Sequence, residues 1–114
     1  MKNLLLLDDE KSVRKVVREL VSPLGFHICE GNGHIDLDSL SKVDVLLTDI
    51  DMPGKNGFEI ASRVLEKDRS TLVVFMSGAV ERLPEEWKRP NMWFLAKPVV
   101  YEQLVSILSS SGSN

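Results

Sequence analysis

A single cysteine, Cys29, is all the thiol this chain carries. No internal disulfide can form, and a reducing, cytoplasmic compartment is expected. Cys29 sits in a short apolar stretch, so a buried, inert thiol is the expectation. Long hydrophobic runs are also missing. No stretch approaches the roughly 18 apolar residues of a membrane span. The Leu4–Leu7 run meets acids too soon to be the apolar region of a signal peptide. Charge of one sign is scarce as well: the net charge is -3, without the basic stripe of a nucleic-acid binder. Lys11, Arg14, Lys15 and Arg18 have the spacing of a solvated helix face. No repeat, linker or second domain is visible. What remains is ordinary for one self-folding domain: 114 residues, 43% hydrophobic and 27% charged.

Short apolar runs recur at Leu4–Leu7, Phe26–Cys29, Val43–Leu47, Leu72–Met76 and Met92–Ala96. Most are aliphatic on both faces, which suits strands covered on both sides. Phe26–Cys29 is the most equivocal. Val13, Val16, Val17, Leu20, Val21 and Leu24 form one helical stripe, closed by Pro23 and Gly25. Phe58, Ala61, Val64 and Leu65 form a second; Tyr101, Leu104, Val105 and Leu108 form a third. Two connections are weaker. Asp36–Ser41 supports about two helical turns. Leu83–Arg89, held between Pro84 and Pro90, supports about two turns of irregular helix. Strand and helix alternate five times, which predicts an α/β fold with a doubly wound parallel sheet. The domain is expected over residues 1–108, with 109–114 a frayed, serine-rich tail.

The strand ends carry the chemistry. Leu4–Leu7 ends at Asp8-Asp9, Val43–Leu47 at Thr48-Asp49, Leu72–Met76 at Ser77-Gly78, and Met92–Ala96 at Lys97-Pro98. In an open parallel sheet all carboxyl ends share one edge, where ligands bind. Two carboxylates about 4 Å apart repel by roughly 4 kcal/mol at an effective dielectric near 20. Lys97 offsets part of that, and a hard divalent cation offsets more. Magnesium takes one or two carboxylates plus waters and phosphate oxygens. Asp9 and Asp49 are its natural ligands, Asp8 can hold a coordinated water, and the Asp51 carbonyl can turn inward. A carboxylate can itself be a nucleophile and form an aspartyl phosphate. Lysine, metal and a hydroxyl would then neutralise the transferring phosphoryl group.

The segments "LLLLDDE", "LLTDIDMPGKNG", "VVFMSG" and "WFLAKP" resemble response-regulator receiver domains across nearly the whole chain. That resemblance implies a flavodoxin-like three-layer sandwich with five parallel strands in the order 2-1-3-4-5. It implies that Asp49 accepts a phosphoryl group from a phosphohistidine on a histidine kinase or phosphotransfer protein. Asp8 and Asp9 would be the acidic pair for magnesium, with Asp49 and Asp51 completing the ligand set. Ser77 would be the switch hydroxyl, Phe94 the coupled aromatic, and Lys97 the phosphoryl contact ahead of a cis Lys97–Pro98 bond. The implied role is a signalling switch, not an enzyme of metabolism. A downstream protein would meet the face of the fourth helix, fifth strand and fifth helix, and a homodimer is open. The chain could be a free-standing regulator or part of a hybrid kinase. No nucleic acid or membrane partner is expected.

Departures from the family pattern are visible. Phe94 stands where tyrosine is frequent. Asp51 adds negative charge where a water would attack a phosphoaspartate. The fourth helix is short or remodelled. Taken singly, Asp8, Asp9 and Asp49 would be loop acids or helix caps, Ser77 a turn residue, Lys97 a solvated cation, and Phe94 and Trp93 packing residues on opposite strand faces. His27 reads as a strand-surface residue and His34 as loop. "GNG" at 31–33 lacks the rest of a dinucleotide fingerprint. Trp87 reads as a cover for an apolar patch. Two rival functions remain: a pseudo-receiver that binds protein without taking phosphate, and a haloacid-dehalogenase-type phosphatase. The second is opposed by the position of Asp49 on the third strand, not the first.

Overall fold

The computed structural model describes residues 2–79 and 82–112. Five strands form one parallel sheet: β1 (Asn3–Leu7), β2 (His27–Gly31), β3 (Val45–Asp49), β4 (Leu72–Ser77) and β5 (Met92–Ala96), in the order β2-β1-β3-β4-β5. Three α-helices connect and flank them: α1 (Lys11–Val21), α2 (Gly57–Lys67) and α3 (Tyr101–Gly112). The sheet order is the expected one. No helix among the described residues is long and apolar enough to cross a membrane.

Strand alternation splits the core in two. Leu5, Leu7, Leu46, Val73, Phe75 and Met92 face α2 through Ile60, Ala61 and Val64. Leu4, Leu6, Val45, Leu47, Val74, Met76 and Leu95 face the other way, against α1 and α3. The central strands are therefore buried on both sides, which is why their sequences show no polar alternation.

Helix ends follow local chemistry. Helix α1 gives way to a 3-10 turn at Ser22–Leu24, and Gly25 closes it at φ 86°, a left-handed conformation that favours glycine. Helix α2 opens with a capping box: the Glu59 amide donates to Asn56 Oδ1 at 3.0 Å, and the Asn56 amide to Glu59 Oε1 at 3.3 Å.

The two weak connections are shorter than the sequence suggests. Between β2 and β3 only a 3-10 turn, Leu37–Ser39, forms. It is strapped to its neighbours by cations: Lys67 Nζ donates to the Leu37 carbonyl at 2.8 Å, Lys55 Nζ to the Ile35 carbonyl at 3.2 Å, and Arg63 pairs with Asp38 at 2.8 Å. Between β4 and β5 the described residues hold a single 3-10 turn, Glu85–Trp87, instead of two helical turns. Its anchor is Trp87, whose ring centroid lies 5.3 Å from Phe58 and 5.4 Å from Phe75. Leu83 is buried four residues earlier. Two side chains thus seal this end of the α2 face without a helix.

One further expectation is corrected. Cys29 is exposed, not buried. It lies on the edge strand β2, opposite Leu5, and the short β2–β3 connection leaves that end of the sheet face bare. Helix α3 runs on to Gly112. No proline or β-branched run interrupts Ser109–Ser111, and serine lowers helix propensity without breaking a helix already anchored by Leu104 and Leu108. Ser113 and Asn114 lie outside the described residues.

Candidate functional site

The strand registers set the site. Leu7 pairs with Thr48, so Asp8 and Asp49 leave the sheet at the same level; Ser77 pairs with Ala96, so Lys97 follows beside it. Asp8, Asp9 and Asp49 each offer a carboxylate oxygen within 4.8 Å of the others. Asp8 and Asp49 are buried, at 0% and 5% exposure, while Asp9 is exposed.

Lys97 enters this acidic cluster. Its Nζ donates to Asp8 Oδ2 at 2.7 Å and lies 3.4 Å from Asp49 Oδ2. One ammonium facing three carboxyls leaves the cluster short of positive charge. Asp49 registers the deficit: burial first, then the charge of Asp8, pushes its carboxyl up to about 6 against the partial relief from Lys97. Burial works against the Lys97 ammonium, but the hydrogen bond and charge of Asp8, with Asp49, outweigh it and hold its pKa above the ordinary value. Oxygen donors of this kind, two buried and one open to solvent, fit a hard divalent cation.

Asp8 is held on every side. Its amide donates to the Gly31 carbonyl at 3.1 Å, its Oδ1 accepts from the Glu10 amide at 2.9 Å, and its carbonyl accepts from Arg14 Nη1 at 2.5 Å. Asp49 is fixed through its backbone. Gly57, the first residue of α2, passes so close that a Cβ there would lie 2.5 Å from the Asp49 carbonyl. The Gly57 amide donates to the Ile50 carbonyl at 2.9 Å.

Ser77 is buried at the end of β4, and its Oγ accepts from the Ala79 amide at 3.1 Å. Its carbonyl accepts from the Lys97 amide at 2.9 Å, just before the Lys97–Pro98 bond, which is cis. Phe94 is half-buried against the α2-side core and pairs with Phe75, two residues before Ser77 on the same strand face. Trp93 points to the other face and is 46% exposed. The Asp51 side chain is exposed and stands outside the three-carboxylate cluster.

The second glycine of "GNG", Gly33, has a mechanical purpose. A Cβ at Gly33 would lie 2.1 Å from the Pro53 carbonyl oxygen, and the Lys55 amide donates to the Gly33 carbonyl at 2.8 Å. Gly54, at φ 86°, completes this backbone contact. The β2–β3 connection thereby supports the loop after Asp49. Gly33→Ala is expected to cost about 1–3 kcal/mol by forcing the loops apart, read as a lower urea midpoint; an unchanged midpoint would remove this role.

Sequence reasoning assembled Asp8, Asp9, Asp49 and Lys97 correctly in space but missed Arg14, Gly33 and Gly57. The solvated-face reading holds for the exposed Lys11, Lys15 and Arg18 and fails for Arg14, which turns inward to Asp8. His27 is exposed on β2 and His34 lies in a turn, as expected.

Comparison with known proteins gives one consistent result. The family model for the response regulator receiver domain matches residues 4–109. The chain is 34% identical to the positive alginate biosynthesis regulatory protein of Pseudomonas aeruginosa, over 96% of this chain and 46% of that protein. It is 31% identical to the response regulator receiver protein CpdR of Brucella abortus, over 93% of this chain and 92% of that protein. A receiver protein structure from Sinorhizobium medicae superposes with a TM-score of 0.80 at 24% identity, covering 98% of this chain and 94% of that one.

Proposed function

The chain belongs to the response regulator receiver domain family, and on that premise we propose that Asp49 accepts a phosphoryl group from a phosphohistidine. The family acts as a signalling switch between histidine kinases and downstream effectors. The single observation that carries the proposal is the position of Lys97. Its ammonium lies 2.7 Å from Asp8 and 3.4 Å from Asp49 at the rim of a three-carboxylate cluster.

In this reading Asp9, Asp49 and the Asp51 carbonyl would hold magnesium, with Asp8 assisting through water. Bound magnesium would supply positive charge to the phosphoryl oxygens. An Asp49 carboxylate oxygen attacks phosphorus. The P–N bond to the donor imidazole breaks, and its electron pair stays on the imidazole nitrogen. Lys97 neutralises a phosphoryl oxygen, and Asp8 keeps the ammonium aimed there. The Ser77 hydroxyl, whose oxygen accepts from the Ala79 amide, turns to donate to a phosphoryl oxygen, and Phe94 moves into the space released. That biases the face formed by the Glu85–Trp87 turn, β5 and α3. Trp93, Val100 and Tyr101, each nearly half exposed, support protein binding at this face.

The test is intact mass after exposure to acetyl phosphate, with and without magnesium. Wild type is expected to gain one phosphoryl group only with magnesium, and Asp49→Asn none. Equal uptake by both proteins would refute the assignment. No uptake by wild type would favour the pseudo-receiver, a reading that the reduced β4–β5 connection supports.

A further inference from the structure

We propose that Arg14 is a positioning residue for the metal-binding acids, acting through the backbone of Asp8 and not through charge. The inference rests on the reading of Asp8, Asp9 and Asp49 as the magnesium site and deepens it. Arg14 lies one turn into α1, with its side chain only 15% exposed. Its Nη1 donates to the Asp8 carbonyl at 2.5 Å, and its Nε lies 3.7 Å from Glu30 Oε1 near the end of β2. The next residue, Gly31, accepts the Asp8 amide at 3.1 Å. The peptide groups on both sides of Asp8 are therefore tied to the end of β2, one directly and one through Arg14 and Glu30.

The carbonyl that Arg14 holds belongs to the peptide joining Asp8 to Asp9. Rotation of that peptide would swing both carboxylates, Asp8 away from Lys97 and Asp9 away from Asp49. A guanidinium suits this task because one planar group can serve the carbonyl and the Glu30 carboxylate together. A lysine presents a single ammonium and cannot span both in the same way. Arg18 provides the natural control. It pairs with the same Glu30 and carries the same charge, but it is exposed and makes no bond to Asp8.

Two accounts of Arg14 differ in sign. If the residue mattered only as a nearby positive charge, removing it would tighten cation binding. If it positions the acids, removing it loosens binding despite the lost repulsion. Outer-shell groups that orient metal ligands are typically worth about 10- to 100-fold in affinity.

The experiment uses manganese as a paramagnetic stand-in for magnesium, with affinity read from loss of the free-ion EPR signal and magnesium competition as confirmation. Wild type, Arg14→Ala, Arg14→Lys and Arg18→Ala are compared, and thermal unfolding is recorded for each. Arg14→Ala is expected to bind about tenfold more weakly, Arg14→Lys to recover part of the loss, and Arg18→Ala to match wild type or bind slightly tighter. Phosphoryl uptake by Arg14→Ala should return to the wild-type maximum at saturating metal, a pattern general loosening of the fold would not produce. Wild-type or tighter affinity in Arg14→Ala, or an equal loss in Arg18→Ala, overturns the proposal. If Arg14→Ala does not fold, the charge-preserving Arg14→Lys decides: weaker binding supports positioning, and unchanged binding overturns it. If wild type itself binds no manganese, the metal site fails and this inference falls with it. If wild type binds and every variant matches it, only the role of Arg14 falls.

Discussion

Asp49→Asn is expected to make the metal-free protein more stable at neutral pH, by about 3 kcal/mol, the equivalent of a carboxyl pushed up to about 6. The side chain is 8% exposed and sits beside Asp8, so ionising it costs the folded state far more than the unfolded chain. Its pKa stands at about 6 when folded, against 3.8 ordinarily. Between those values the folded state binds the proton and the unfolded state does not. Wild type therefore holds this contribution below about pH 4 and loses it as pH rises through about 6. Asparagine cannot ionise, so the advantage of the variant grows across that window and vanishes beneath it. Urea titrations at a series of pH values check this. If the cluster holds magnesium as proposed, the metal should narrow the gap, because the variant offers it one carboxylate fewer. A gain that ignores pH, or no gain at neutral pH, would show that the cluster is not electrostatically frustrated.

Lys97→Met is expected to act in the opposite direction, with a loss of about 3 kcal/mol. Removing one member of a buried ion pair leaves the other uncompensated. Asp8, at 0% exposure, would keep its Glu10 amide but lose the ammonium at 2.7 Å. Lys97 is itself partly open to solvent, which sets the size at the lower end for such pairs. Adding Asp8→Asn to Lys97→Met should restore part of the loss, since the fully buried position then carries no charge, while Asp49 still lacks the ammonium at 3.4 Å. A double-variant cycle by chemical denaturation measures the coupling. If the two losses simply add, the Asp8–Lys97 contact has no special weight, and the cluster is held by backbone geometry alone.

These effects share one origin, and it was readable from the chain before any coordinates. Runs that are apolar on both faces mark strands buried on both sides, and the polar residue after each run marks one edge of a parallel sheet. Asp8, Asp49, Ser77 and Lys97 could be brought together on that rule alone. The rule weakened where a strand was not covered. Cys29 follows Ile28 in an apolar stretch, yet β2 is an edge strand beside a connection too short to shield it. Burial there depends on the covering layer and not on the strand.

The β4–β5 connection shows a second limit. Pro84 and Pro90 announce a shortened helix, but the reduction to one 3-10 turn depends on Trp87 reaching Phe58 and Phe75. Those partners lie 29 and 12 residues earlier in the chain. No local pattern encodes that docking. Arg14 was hidden for a similar reason. Its spacing is that of a solvated helix face, while its acceptor is a backbone carbonyl, which has no signature in sequence. Gly33 was hidden because its neighbour is again backbone, the Pro53 carbonyl. The polar side chains at the strand ends were legible; long-range ring packing and contacts made through the main chain were not.

The most direct measurement is to locate the phosphoryl group itself. Wild-type protein is exposed to acetyl phosphate with magnesium and reduced with borohydride, which converts an aspartyl phosphate to homoserine, and its peptides are sequenced by mass spectrometry. The expected result is conversion at position 49 alone, absent when magnesium is withheld. Conversion at Asp9 or Asp51 with Asp49 intact would contradict the account, and so would uptake that needs no metal.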